Sequence, residues 1–189
     1  MRIISGSAKG RKLFTPSNKQ KAIRPTSDRA REALFSIIDG EVIGATVLDL
    51  FAGTGSFGCE ALSRGAKSVV FIEKDREAFE LIAKNVSLIP GGIERAKIIR
   101  YDLRNQRHLQ HPALNSELAF DLVFADPPYQ KGLSEKILHH LDNSTVLSKT
   151  VLVIIEEKKN IDLLDELTNL TKVETRTYGD SLFSFFRLK

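Results

Sequence analysis

Between Ala45 and Lys189 the chain repeats one pattern: a short apolar run, then an amphipathic stretch with helical spacing. The runs are Thr46–Leu50, Ser68–Ile72, Ala96–Arg100, Phe120–Ala125 and Thr150–Ile155. Helical spacing recurs near residues 56–64, 75–88, 103–110, 131–141 and 161–169. Continuously apolar strands that alternate with helices imply a parallel sheet covered on both faces. The final segment departs from that rhythm. Lys172–Tyr178 and Leu182–Leu188 flank Gly179-Asp180, the pattern of an antiparallel hairpin with a tight turn. The expectation is therefore an α/β fold, with a seven-stranded, mostly parallel, Rossmann-like sheet ending in an antiparallel hairpin.

Residues 1–39 read as a separate basic extension, ahead of a main domain over 40–189. Arg2–Gly6 and Arg11–Thr15 predict two short strands around a Gly/Ser/Lys turn. After Thr26 or Ser27 as N-cap, Ala30, Ala33, Leu34, Ile37 and Ile38 recur at helical spacing, with Arg29 and Arg31 off that stripe. The extension holds nine Lys/Arg against three Asp/Glu, net +6, whereas the other 150 residues hold 19 against 21, net −2. A basic arm of this kind attracts a phosphate backbone, so Arg11, Lys12, Arg24, Arg29 and Arg31 are candidate nucleic-acid contacts. No apolar run approaches the roughly 18 residues of a membrane span, and the first residues lack the stretch and cleavage site of a signal peptide. Cys59 is the single cysteine and is expected in the core. Together these point to a cytoplasmic protein with no membrane partner. His108, His111, His139 and His140 lack ligand-like partners, so no metal is expected.

The first apolar run leads into Asp49-Leu50-Phe51-Ala52-Gly53-Thr54-Gly55-Ser56-Phe57-Gly58. A glycine-rich turn after the first parallel strand lets a ligand approach the backbone closely. Gly53, Gly55 and Gly58 alone would also suit a dinucleotide. Asp49 shifts the balance, because a carboxylate there suits the ammonium of S-adenosylmethionine and would repel a pyrophosphate. Phe51 and Thr54 belong to the same loop. The second run ends in Glu73-Lys74-Asp75. Glu73 stands where an acid accepts ribose hydroxyls, and Asp75 reads as the N-cap of the next helix. Asp102-Leu103 closes the third run, where Asp102 can take the adenine amino group or cap a helix.

The fourth run ends in Asp126-Pro127-Pro128-Tyr129. Two successive prolines fix the backbone and remove its N–H donors, leaving carbonyls exposed. The Asp126 carboxylate and the Pro127 carbonyl can then both accept from an exocyclic amine, while Tyr129 stacks on the base. Such an amine is a poor nucleophile because its lone pair delocalises into the ring. Two acceptors on its N–H bonds favour a pyramidal nitrogen, and orientation and electrostatics do the rest. Carbon methylation of a pyrimidine would call for a cysteine nucleophile, which Cys59 is not placed to be. Glu156, Glu157, Lys158 and Lys159 read as a solvated strand-to-helix turn.

These residues resemble the RsmD-type 16S ribosomal RNA (guanine-N2) methyltransferases over nearly the whole chain. The most diagnostic part is N-terminal: Arg2-Ile3-Ile4-Ser5-Gly6, Gly10-Arg11-Lys12-Leu13, and Ile23 to Phe35. Val47–Gly58, Phe71–Asp75 and Asp126–Tyr129 fit as well but are shared more widely. The resemblance implies a class I S-adenosylmethionine-dependent fold with an N-terminal hairpin extension. It implies cofactor roles for the Gly53/Gly55 loop, Glu73 and Asp102, and catalytic roles for Asp126 and Tyr129. It also implies a guanine of 16S RNA in an assembling small ribosomal subunit (guanine 966 in the family) as substrate. A monomer is expected. Adenine-N6 methylation of DNA or RNA is an alternative that Asp-Pro-Pro-Tyr equally serves. An NAD-type oxidoreductase and a non-catalytic RNA-binding assembly factor are further alternatives, disfavoured by Asp49 and by the intact Asp126 and Tyr129.

Overall fold

The computed structural model describes residues 1–16, 28–104, 119–128 and 132–189. Strands β1 (Thr46–Leu50), β2 (Ser68–Glu73), β3 (Ala96–Arg100), β4 (Phe120–Ala125), β5 (Leu147–Lys158), β6 (Leu170–Tyr178) and β7 (Ser181–Leu188) form one sheet in the order β3-β2-β1-β4-β5-β7-β6. The first five run parallel, β7 pairs antiparallel with β5, and β6 with β7. The helices are α1 (Asp28–Ile37), α2 (Asp39–Val42), α3 (Ser56–Ser63), α4 (Arg76–Val86), α5 (Gly92–Arg95) and α6 (Leu133–Asp142).

The apolar runs have this architecture because successive side chains feed two cores. Val47, Val69, Phe71, Leu122 and Phe124 pack on one face with Phe57 of α3 and Ile82 of α4. Leu48, Leu50, Val70, Ile72 and Val123 pack on the other with Ile137 and Leu141 of α6. That is the period-2 alternation of strands buried on both sides. Strand order reverses between β1 and β4, so the carboxyl ends of these two strands flank a topological switch point, where open α/β sheets bind ligands.

The N-terminal strands reduce to one antiparallel bridge, Arg2 to Lys12, around a 3-10 turn at Gly6–Ala8. This strap is seated on α3. Ile4 and Ser5 donate backbone N–H groups to the two carboxylate oxygens of buried Glu60, at 2.7 and 2.9 Å. Ala8 N–H donates to Ser63 Oγ at 2.9 Å. Gly6 has φ +80°, and a Cβ there would lie 1.9 Å from the Ser63 carbonyl oxygen, so only glycine permits the approach. Ile3, Ala8 and Leu13 are buried in the same cluster as Phe35 and Val47.

Three expectations are corrected. No helix forms over 161–169. Its apolar spacing is real, for Leu163 and Leu167 are buried, but the backbone donors are claimed from outside. The Asp142 carboxylate accepts from the N–H groups of Thr168, Asn169 and Leu170 at 3.1, 2.7 and 2.7 Å. The Lys172 ammonium binds Asp162 and the Leu163 carbonyl at 2.7 and 2.6 Å. In α1 and just beyond it the buried stripe is Ala30, Leu34, Phe35 and Ile38, leaving Ile37 exposed. The buried face is turned so that Phe35 stacks toward Phe57 and Arg31 lies inside rather than outside. Glu156 and Glu157 are not a solvated turn: β5 runs on to Lys158 because β7 pairs with it there, and both acids are buried. The expected helix near 103–110 and the N-cap at Thr26 or Ser27 lie outside the described residues, apart from Leu103 and Arg104 in a turn.

Candidate active site

A cleft of about 470 Å³ opens at the carboxyl ends of β1, β2 and β4. The loop after β1 forms its floor. Phe51 takes φ +58°, a left-handed conformation rare outside glycine. Gly53 follows at φ +55°, with no atom nearer than 3.9 Å to a Cβ built on it, so its backbone faces open space. Gly58 is a different kind of glycine. A Cβ there would meet the Phe71 ring at 2.2 Å, so it brings α3 down onto β2. Gly55 likewise faces Ile82 and Phe71, at 3.2 Å, rather than the cleft.

Of the residues expected to hold a cofactor, Asp49, Phe51, Gly53 and Thr54 line the cleft, as do Glu73, Lys74 and Leu103; Gly55 and Asp102 do not. Asp49 is 1% exposed. Its carboxylate accepts from Gly58 N–H at 3.0 Å. Burial pushes Asp49 up to about 7 against the pull of that N–H, and Glu73 adds to the rise. Among the described residues no cation forms an ion pair with Asp49. Glu73 buckles the loop to the end of β2: one oxygen accepts from Gly53 N–H at 2.8 Å, the other from Lys74 and Asp75 N–H, both at 2.8 Å. Asp75 caps α4 as expected, accepting from Ala78 N–H at 3.0 Å. The Arg104 guanidinium grips Asp102, with contacts of 2.9 and 2.6 Å, and holds it down to about 2.

Asp126, Pro127 and Pro128 line the same cleft, directly after β4. Tyr129 lies outside the described residues. Burial raises Asp126 well above the usual carboxylate range, and Glu156, Asp49 and Glu157 raise it further. The β4–β5 register explains the company: Ala125 pairs with Ile155, which puts Asp126 beside Glu156 at the strand ends. Ser181 Oγ donates to Glu156 at 2.7 Å, and Ser134 Oγ to Glu157. Among the described residues, no cluster of three or more His, Cys, Asp or Glu side chains could hold a metal ion.

The family model described as Conserved hypothetical protein 95 matches residues 1–187. A curated Haemophilus influenzae relative, Ribosomal RNA small subunit methyltransferase D, is 35% identical over 179 residues, covering 95% of this chain and 89% of that one. The chain belongs to the RsmD family. The Escherichia coli protein of the same name is 34% identical over 161 residues, covering 84% of this chain and 75% of that one. A solved Escherichia coli structure, provisionally described as a methyltransferase, superposes on this RsmD-family chain with a TM-score of 0.81 at 27% identity, covering 100% and 98%. The fold is thus the class I methyltransferase fold, and the family's named members methylate ribosomal RNA.

The candidate RNA contacts of this RsmD-family chain divide. Arg11, Lys12 and Arg29 are exposed, and Arg24 lies outside the described residues. Arg31 is 2% exposed and lines the cleft. Its Nη2 donates to the Arg2 carbonyl at 2.5 Å and to Asp28 at 2.9 Å. The spacing put Arg31 off the apolar stripe, and it is buried because Asp28 and the strap enclose it. Asn85 escaped notice altogether. It is fully buried on α4, donates to the carbonyls of Thr54 and Phe14 at 2.8 and 3.1 Å, and accepts from Phe14 N–H at 2.7 Å. It ties the strap to the glycine loop. Its one sequence signal was a polar residue on an otherwise apolar stripe with Leu81, Ile82 and Val86.

Proposed function

We propose that this chain transfers the methyl group of S-adenosylmethionine to the exocyclic N2 amine of a guanine in 16S RNA, within an assembling small ribosomal subunit. The observation that carries the reading is that the glycine loop after β1 and Asp126-Pro127-Pro128 after β4 line one cleft at the switch point of the sheet. The names of the relatives support ribosomal RNA as the substrate class.

In this reading Asp49 faces the ammonium of the cofactor's amino-acid end. Gly53 allows its close approach, with Phe51 and Thr54 beside it. Glu73 uses its remaining acceptor capacity on the ribose hydroxyls, three of roughly four lone-pair sites being already engaged by backbone N–H groups. Lys74 and Leu103 flank the adenine, and Asp102, held by Arg104, stays outside the cleft lining. When bound, S-adenosylmethionine supplies a methyl group activated by the adjacent sulfonium. The Asp126 carboxylate and the Pro127 carbonyl accept from the two N–H bonds of the amine and free its lone pair. Pro128 stiffens the turn, and Tyr129 is assigned base stacking on the motif alone. The basic extension of residues 1–39 grips RNA through Arg11, Lys12, Arg24 and Arg29. Residues 40–189 act as the methyltransferase domain. The protein works in the cytoplasm as a monomer.

The test offers labelled S-adenosylmethionine with unmethylated small subunits, naked 16S RNA and duplex DNA, and identifies the product nucleosides by mass spectrometry. N2-methylguanosine from subunits is the expected result. N6-methyladenine would overturn the base assignment, and no product from any substrate would overturn the enzymatic reading.

A further inference from the structure

Arg31 is the least economical side chain in the cleft. A guanidinium carries five N–H donors. Nη2 uses its two on the Arg2 carbonyl and Asp28. Nε and Nη1, both fully buried, have no hydrogen-bond partner among the described residues. Buried donors on a cation are costly to leave unsatisfied, and native structures rarely keep them without a reason. Phosphates of a folded RNA cannot reach a side chain that is 2% exposed. A ligand seated in the cleft lies against it, because Arg31 forms part of the wall.

We infer that Arg31 anchors the α-carboxylate of the cofactor's amino-acid end, opposite Asp49, which takes the α-ammonium. The inference rests on the S-adenosylmethionine reading above. Two further observations place the carboxylate here. Ser56 and Phe57, in the first turn of α3, also line the cleft, and a helix N-terminus favours an anion. Burial pushes the Cys59 thiol up, Asp49 adds to the rise and Arg31 opposes it, so both charges lie near one point of that helix. One wall of the cleft thus presents an acid without a cation and a cation with unused donors. An amino-acid zwitterion complements that pair, and the carboxylate is the one anionic group that S-adenosylmethionine carries.

Two ligands separate this role from a structural one. S-adenosylhomocysteine carries the amino-acid end; 5′-methylthioadenosine keeps the nucleoside and thioether but lacks it. Calorimetric titration of the full chain is expected to show that Arg31→Met weakens S-adenosylhomocysteine by roughly 10- to 100-fold, the range for a charged hydrogen bond, and leaves 5′-methylthioadenosine unchanged. Arg31→Lys, which keeps the charge on a single nitrogen, should fall between, and it serves if the Met variant does not fold. Equal weakening of both ligands would overturn the inference in favour of a packing role. Unchanged S-adenosylhomocysteine binding with weakened RNA binding would return Arg31 to the substrate. Failure of the unmodified protein to bind S-adenosylhomocysteine would instead sink the cofactor reading on which the inference stands.

Discussion

Asp49 faces opposite demands in the free and the loaded protein. Without a cation beside it, burial holds its carboxyl near 7, against 3.8 for the free side chain. Between those values the folded protein binds a proton that the unfolded chain has released. The contribution of Asp49 to the stability of the free protein therefore falls as pH rises from about 4 to about 7, by up to roughly 4 kcal/mol. Asp49→Asn keeps an acceptor for Gly58 N–H and removes the buried charge. It should flatten that pH dependence in thermal melts at graded pH while weakening S-adenosylhomocysteine binding. An Asn variant whose loss over the same window was undiminished would rule out Asp49 as a source. Asp126 follows the same logic at the reacting end of the cleft. It accepts from the amine most strongly when ionised, yet burial, Glu156, Asp49 and Glu157 all favour its neutral form. Methyl transfer should therefore decline on the acid side, and Glu156→Gln, which removes the largest charged contribution, should move that limb to lower pH. A pH–rate profile on small subunits checks this. Asp126→Ala should abolish transfer while S-adenosylhomocysteine still binds; loss of binding would make Asp126 part of the cofactor pocket.

At the scale of elements, the glycine loop works because α3 lies hard against β2, and Gly58 is what allows it. Gly58→Ala drives a methyl group into Phe71, an overpacking that costs about 1–3 kcal/mol. It should lower the melting temperature, and Phe71→Leu in the same chain should recover part of the loss. No recovery in the double variant would mean that the glycine matters for some other reason. Strands β1 and β4 were legible because burial on both faces leaves an apolar run, and these two and the partly exposed edge strand β3 begin and end where the runs do. Helical spacing proved a weaker guide. Residues 161–169 carry it, yet Asp142 and Lys172 take up the polar groups of that backbone from elsewhere in the chain, and no local pattern announces such a partner. The cleft shows the same limit. The loop around Gly53 and the turn at Asp126 could be located from their order along the strands. Arg31 and Asn85 could not, because each is buried by contacts with the N-terminal strap, whose seat on Glu60 lies 56 residues from Ile4.

Charge is a property of the whole molecule here, since net +6 is concentrated in residues 1–39 and the rest sums to −2. The strap does not present that charge on a loose tail. Glu60, Ser63 and Asn85 fasten it at Ile4, Ser5, Ala8 and Phe14, so the exposed Arg11 and Lys12 hold a fixed relation to the cleft. On the proposed reading, RNA that meets Arg11 and Lys12 is held in a fixed relation to Asp126. Each phosphate neutralised on a single strand contributes about 0.7 to the slope of log affinity against log salt. Replacing Arg11, Lys12 and Arg29 together by Gln should thus reduce that slope by about 2 and weaken binding at low salt. Affinity for S-adenosylhomocysteine should stay as it was. Arg31→Met should leave the slope alone, because a buried guanidinium releases no counterions. Titrations of 16S RNA fragments at graded salt distinguish the two groups of arginines. A slope unchanged by the triple replacement would mean that the basic extension does not carry RNA, and one lowered by Arg31→Met would place that arginine among the phosphate contacts.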